Sequence, residues 1–136
     1  MSSPEKVTLE VGTVLAWHDA VNSGDGDTLV DLSSDDVELG GPHGSTQGLA
    51  ALRSWAADAD ITLRAGRMFV HDGVVVVQEQ ASPSGAPEAQ DLVASAFRVV
   101  DARVVSVFRH PDLDTALAAT GLGPEHEFDP VPDPDL

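Results

Sequence analysis

Apolar residues recur at three- and four-residue spacing at the start of the chain, placing Val7, Val11, Val14, Leu15, His18 and Val21 on one helical face. Ser3 can cap, Pro4 suits the first helical position and Glu5 sits at the positive end. The pattern predicts an amphipathic helix of about four turns ending near Asn22, with Trp17 on its flank. Ser23-Gly24-Asp25-Gly26 breaks it, and Asp25 or Asp27 can cap a short second helix from Thr28 to Leu32. A strand from Asp36 to Leu39 runs into a loop from Gly40 to Gly48 that holds four glycines, Pro42 and His43, and a third helix runs from about Leu49 to Ala57. From Asp60 the period becomes two: Ile61, Leu63, Ala65, Arg67 and Phe69 alternate with Thr62, Arg64, Gly66, Met68 and Val70. His71-Asp72-Gly73 is a hairpin turn, and Val74 to Ala81 is the return strand. Its four consecutive valines predict burial on both faces. Ser82 to Pro87 reads as a loop, and Leu92–Val100 and Arg103–His110 form a second hairpin about Asp101-Ala102. Leu113 to Thr120 is a final helix capped by Asp112 and stopped by Gly121.

Helices followed by strands in hairpins indicate an α+β domain, with helices on one face of an antiparallel sheet. Such a sheet, strongly curved, wraps the long N-terminal helix and leaves a pocket between them. The domain is expected over residues 1–123, followed by an acidic, proline-rich disordered tail over 124–136.

Composition narrows the partners. The 42% of hydrophobic residues is enough for a core, and no apolar run approaches membrane-spanning length. With 23 acids and 7 bases the net charge is −16, which disfavours nucleic acid and anionic membrane as partners. The N-terminus lacks a signal-peptide layout and there is no cysteine, so a cytoplasmic protein without disulfides or thiolate chemistry is expected.

Several stretches are similar to the nuclear-transport-factor-2-like superfamily, in its SnoaL-like and ketosteroid-isomerase-like branch. They are Ala16-Trp17-His18-Asp19-Ala20-Val21-Asn22-Ser23-Gly24-Asp25-Gly26-Asp27, Asp35-Asp36-Val37-Glu38-Leu39 with the Gly-Pro loop, Gly48 to Trp55, and Phe97 to Val105. The resemblance spans about Val7 to Gly121. It implies a cone-shaped α+β barrel, a deep apolar cavity and a homodimer formed through the sheet. It also shows departures. Gly41 stands where the isomerases keep a catalytic aspartate, Trp17 matches their oxyanion-binding tyrosine, and Ser95 matches their second oxyanion acid. Moving a proton and holding an enolate needs a carboxylate and a strong donor, so the resemblance argues against steroid isomerisation.

The candidate site residues follow. His43, in the rim loop, has a pKa range suited to acid–base work; otherwise it is an exposed loop histidine. His18 is a second acid–base candidate or a hydrogen-bonded core residue. Trp17, Trp55, Ser95 and Gly41 are candidates for the pocket wall. Glu79 follows Val75 and Val77 at strand spacing: facing inward it is a buried carboxylate, facing outward it is merely solvated. Arg109 is in phase with Val105 and Val107 and serves either as an anion clamp or in a surface or dimer-interface ion pair. No spacing fits a dedicated metal site or a phosphate cradle, so no metal or cofactor is expected. The expected function is a pocket for a small apolar organic molecule. Isomerase, cyclase or hydrolase-type chemistry is one alternative, and a non-catalytic ligand-binding or dimerisation module is the other.

Overall fold

The computed structural model describes residues 4–41, 44–58, 61–83 and 90–128. Helices α1 (Pro4–Ser23) and α2 (Gly26–Asp31) precede strands β1 (Ser33–Gly41) and β2 (Gly44–Gln47). Helix α3 (Leu49–Asp58) leads into β3 (Ile61–His71), β4 (Val74–Pro83), β5 (Asp91–Val100) and β6 (Arg103–His110). Helix α4 (Leu113–Thr120), a 3-10 turn (Pro124–His126) and β7 (Glu127–Phe128) complete the order. The seven strands form one mixed sheet in the order β2-β1-β6-β5-β4-β3-β7, with β1 parallel to β6 and the other pairs antiparallel. The α+β expectation holds, as a curved sheet around α1, open at its two edges rather than closed as a barrel.

The main core lies between α1 and the sheet. Val11, Val14, Trp17 and Val21 pack there against Leu63, Val75, Val77, Phe97 and Val107. Asn22 fixes the end of α1 by reading β3 as a strand would: its Nδ2 donates to the Leu63 carbonyl, and its Oδ1 accepts from the Leu63 N–H, each at 2.8 Å. Val75, Val76 and Val77 are all fully buried, as the valine run predicts, because the outer face is covered too. There α4 lays Leu113 and Ala116 over Phe69, Val76, Ala94 and Ala96. The expected arrangement of helices on one face is therefore corrected: a strand run apolar on both sides needs a cover on both sides.

Three further expectations change. The strict alternation of β3 slips by one residue where Gly66 and Arg67 together face the single residue between Val77 and Glu79. This β-bulge turns Met68 and Val70 inward and Phe69 outward, where odd-numbered residues led before it. The second half of the glycine loop is the strand β2, paired with β1 from Glu38↔Gln47 to Gly41↔Gly44. The expected disordered tail is ordered over its first five residues. There Arg67 binds Glu127 through two guanidinium nitrogens at 2.9 and 3.1 Å, and β7 pairs with β3. Residues 129–136 lie outside the described residues.

Ala102 sits at φ 62° in the β5–β6 turn, a left-handed conformation that costs a side chain about 1 kcal/mol. Ala102→Gly is expected to raise stability by about 0.5–1 kcal/mol in urea unfolding; an unchanged or lower midpoint would contradict this strain. Asp112 caps α4: the Thr115 N–H, donating at 2.8 Å, and the Thr115 hydroxyl hold its carboxyl below the usual aspartate range. A depressed folded-state pKa contributes stability that is present above the unfolded aspartate value and is lost as pH falls through the folded one. Asp112→Asn keeps a capping acceptor but does not titrate. The wild-type advantage in Tm over this variant should shrink as pH falls from about 5 to about 2, and a gap constant with pH would remove the linkage.

Candidate functional site

The inward face of β4 carries Val75, Val77 and Glu79 in sequence, and Glu79 is fully buried. A carboxylate without water must find donors. Glu79 finds two. Ser95 on β5 donates through Oγ to Oε1 at 2.7 Å, and His18 on α1 places Nε2 2.5 Å from Oε2. The other ring nitrogen of His18, Nδ1, lies 2.8 Å from the Val14 carbonyl, which can only accept. Nδ1 therefore carries a hydrogen, and a single further proton lies between Nε2 and Oε2. Whether that proton is written on the imidazole or on the carboxyl, the pair is electrically neutral. Neutrality is what makes its burial affordable in a medium that penalises isolated charge.

In front of this network lies a cavity of about 600 Å³, within the range of small-molecule sites. Trp17 and Trp55 form one wall, stacked at 5.5 Å between ring centroids and 25° between planes. Leu63 and Val107 add apolar surface, and Ser95 and Arg109 supply polar atoms. Leu39, Gly40 and Gly41 of β1 and Gly44, Ser45 and Thr46 of β2 complete the lining. Ser95 and Arg109 face one another directly across the β5–β6 pair, and Ser95 faces Val77 on its other side. Trp17 links cavity to network: its ring also meets Phe97 edge-on at 5.2 Å and His18 at 6.0 Å. Its buried Nε1 has no hydrogen-bond partner among the described residues.

The expected site residues thus divide. Trp17, Trp55, Ser95 and Gly41 lie at the cavity. His18 and Glu79 do not line it; they stand one layer behind, with Ser95 between Glu79 and the open space. His18, on the buried stripe of α1, is turned toward Glu79 on β4. His43 lies outside the described residues. Arg109 is on the wall, with no carboxylate in ion-pair distance among the described residues, rather than in a surface pair. Ser45 and Thr46 on the wall lie in the stretch expected as loop, so the sequence did not mark them. The β-forming Ser-Thr-Gln run after a glycine was the available hairpin signal. Among the described residues, no three His, Asp or Glu side chains converge as metal ligands, and no helix is long and apolar enough to cross a membrane.

Comparison with known proteins agrees with this architecture. An NTF2-like protein of unknown function from Cytophaga hutchinsonii superposes with a TM-score of 0.68 at 13% identity, covering 78% of this chain and 92% of its own. A candidate ketosteroid isomerase from Kribbella flavida gives 0.68 at 16% identity, covering 76% and 77%. A candidate polyketide cyclase from Xanthomonas campestris gives 0.66 at 21% identity, covering 82% and 96%. At such identities the likeness is one of fold, and it is the NTF2-like fold. Among curated proteins none matches the sequence. The pattern that defines the SnoaL-like domain matches residues 14–107, which include Trp17, the network and most of the cavity wall, and the chain belongs to the SnoaL-like family.

Proposed function

We propose that the cavity binds a small, mostly apolar organic molecule and that the Ser95–Glu79–His18 chain moves a proton to or from it. The observation that carries this reading is the bonding of Glu79. A fully buried carboxylate is joined to a wall hydroxyl on one oxygen and to an imidazole on the other. In the base direction, a ligand proton passes to Ser95 Oγ as the hydroxyl hydrogen of Ser95 moves to Glu79 Oε1. The proton between Glu79 and His18 shifts to His18 Nε2, so the network ends with one added positive charge. The acid direction is the reverse. Histidine suits the end of the chain because its second ring nitrogen can take a proton while the first keeps the hydrogen held toward Val14. The same arrangement explains how acid–base work is supported without a carboxylate at Gly41. The proposed ligand reaches the wall hydroxyl, and His18 acts through Glu79.

A specific observation favours the second reading, a ligand carrier without chemistry. Trp17, Trp55, Leu39, Leu63 and Val107 make much of the wall apolar. The two readings part in one experiment. The protein is incubated in D2O with small cyclic enolisable ketones such as 2-tetralone, and deuterium uptake at the carbon next to the carbonyl is followed by NMR. Catalysed exchange is expected, falling about 100-fold or more in Glu79→Gln and Ser95→Ala. Ketone binding with no protein-dependent exchange would leave the carrier reading. Cytoplasmic location and a homodimer through the sheet are part of this proposal; α4 already covers the outer face over Val76, Ala94 and Ala96, so a dimer would have to include α4 or use the rest of the sheet.

Stability separates chemistry from packing. His18→Ala leaves Glu79 buried with one partner fewer and is expected to cost about 3–5 kcal/mol in urea unfolding. Glu79→Gln keeps the volume and the Ser95 contact, so it should remain folded with a smaller loss. A His18→Ala cost below about 1 kcal/mol would mean that the pair is not the buried anchor described here.

A further inference from the structure

Arg109 stands on the cavity wall outside the proton relay. All six arginines fall within the described residues, and five of them, Arg53, Arg64, Arg67, Arg98 and Arg103, are exposed. Arg109 alone is half-buried, and it is the one on the cavity wall. Arg53 and Arg67 have acidic partners, Asp27 and Glu127. Arg109 has none among the described residues, in a chain with 23 acids. A guanidinium drawn partly out of water ordinarily gains a counter-charge, and its fork of donors matches a carboxylate. The neighbouring strand leaves room for that partner to come from outside. At Gly41 a Cβ would stand 4.0 Å from the Arg109 Cβ, so the missing side chain keeps this flank of the arginine open.

We propose that the ligand is an organic anion with a flat apolar body: its acid group pairs with Arg109, and its body lies on the Trp17–Trp55 wall. This rests on the cavity reading above and names the ligand class for it. Ser95 adds a polarity rule. It faces Arg109 across the β5–β6 pair, and its only hydroxyl hydrogen is given to Glu79. Toward the cavity Ser95 therefore offers lone pairs, so it suits a proton-bearing group next to the acid, while Arg109 takes the acid itself. The net charge of −16 opposes anion entry at long range. At about 0.15 M salt the Debye length is about 8 Å, so distant acids are largely screened while a contact pair inside the wall is not.

The test uses calorimetric titration of the whole chain with 2-naphthoate and with its neutral isostere 2-naphthamide. Naphthoate is expected to bind at least about 10-fold tighter, and Arg109→Gln to lose about 10- to 100-fold of naphthoate affinity with naphthamide within about twofold of wild type. Gly41→Asp, which sets a carboxylate beside an intact Arg109, should remove the same preference, and it decides the matter alone if Arg109→Gln does not fold. Arg98→Gln, an exposed charge on β5, should change nothing. Equal binding of both probes, or an equal loss of naphthoate affinity in Arg98→Gln, overturns the anion assignment and leaves the cavity reading standing. Failure of both probes to bind overturns both.

Discussion

The buried contact between His18 and Glu79 ties the first helix to the middle of the sheet, and the geometry of the cavity depends on it. The two residues are 61 apart in sequence, so the contact closes a long loop and fixes the roll of α1 about its axis. That roll sets Trp17, one residue before His18, against Trp55 and Phe97 and makes it a wall of the cavity. The same carboxylate holds the Ser95 hydroxyl, which sets the polarity of the opposite wall. An apolar pair at 18 and 79 would pack at least as well, since buried ion pairs contribute little net stability over hydrophobic replacements. What the polar pair adds is a defined orientation and, on the proposed relay, a proton that can move.

Much of the fold was legible because it rests on local patterns. The valine run of β4, the Asp112 cap and the Gly121 stop of α4 each state their conformation within a few residues, and the structure agrees. What failed to show in the sequence depended on partners. The slip in β3 exists only relative to β4, although Gly66 inside a strand was a hint of a bulge. The side of the sheet chosen by α4 is set by apolar area on Phe69, Val76 and Ala96, which alternation alone cannot assign to an outer layer. The site was legible residue by residue but not as an arrangement. His18, Glu79 and Ser95 each stood out for their own reasons, and nothing in the chain joins positions so far apart.

Charge distribution separates surface from site. Acids dominate the exterior, whereas among the described residues the cavity wall carries the Arg109 guanidinium and, beside Ser45 and Thr46, a Ser95 hydroxyl whose hydrogen goes to Glu79. A uniformly acidic protein adapting only for solubility has no need to keep a half-buried arginine beside a glycine. Gly41 and Arg109 are neighbours across β1 and β6, and a side chain on one would reach the other. The bare backbone at Gly41 leaves the β1 side of Arg109 open, which fits the proposed anion partner there.

Ser95 is the point at which a structural and a chemical account of this network diverge. If Glu79 needed only satisfaction, any buried donor would serve, and a backbone N–H would be the less mobile choice. A hydroxyl places that donor at the boundary between the carboxylate and the cavity, where the hydrogen it gives to Glu79 can be exchanged for one taken from a ligand. The transfer needs no movement of heavy atoms at Glu79 or His18, both of which are locked by packing and by two polar contacts each. On the proposed relay, a rigid network behind a single proton carrier would keep the reorganisation cost of proton transfer low, which favours the reactive reading over the merely receptive one.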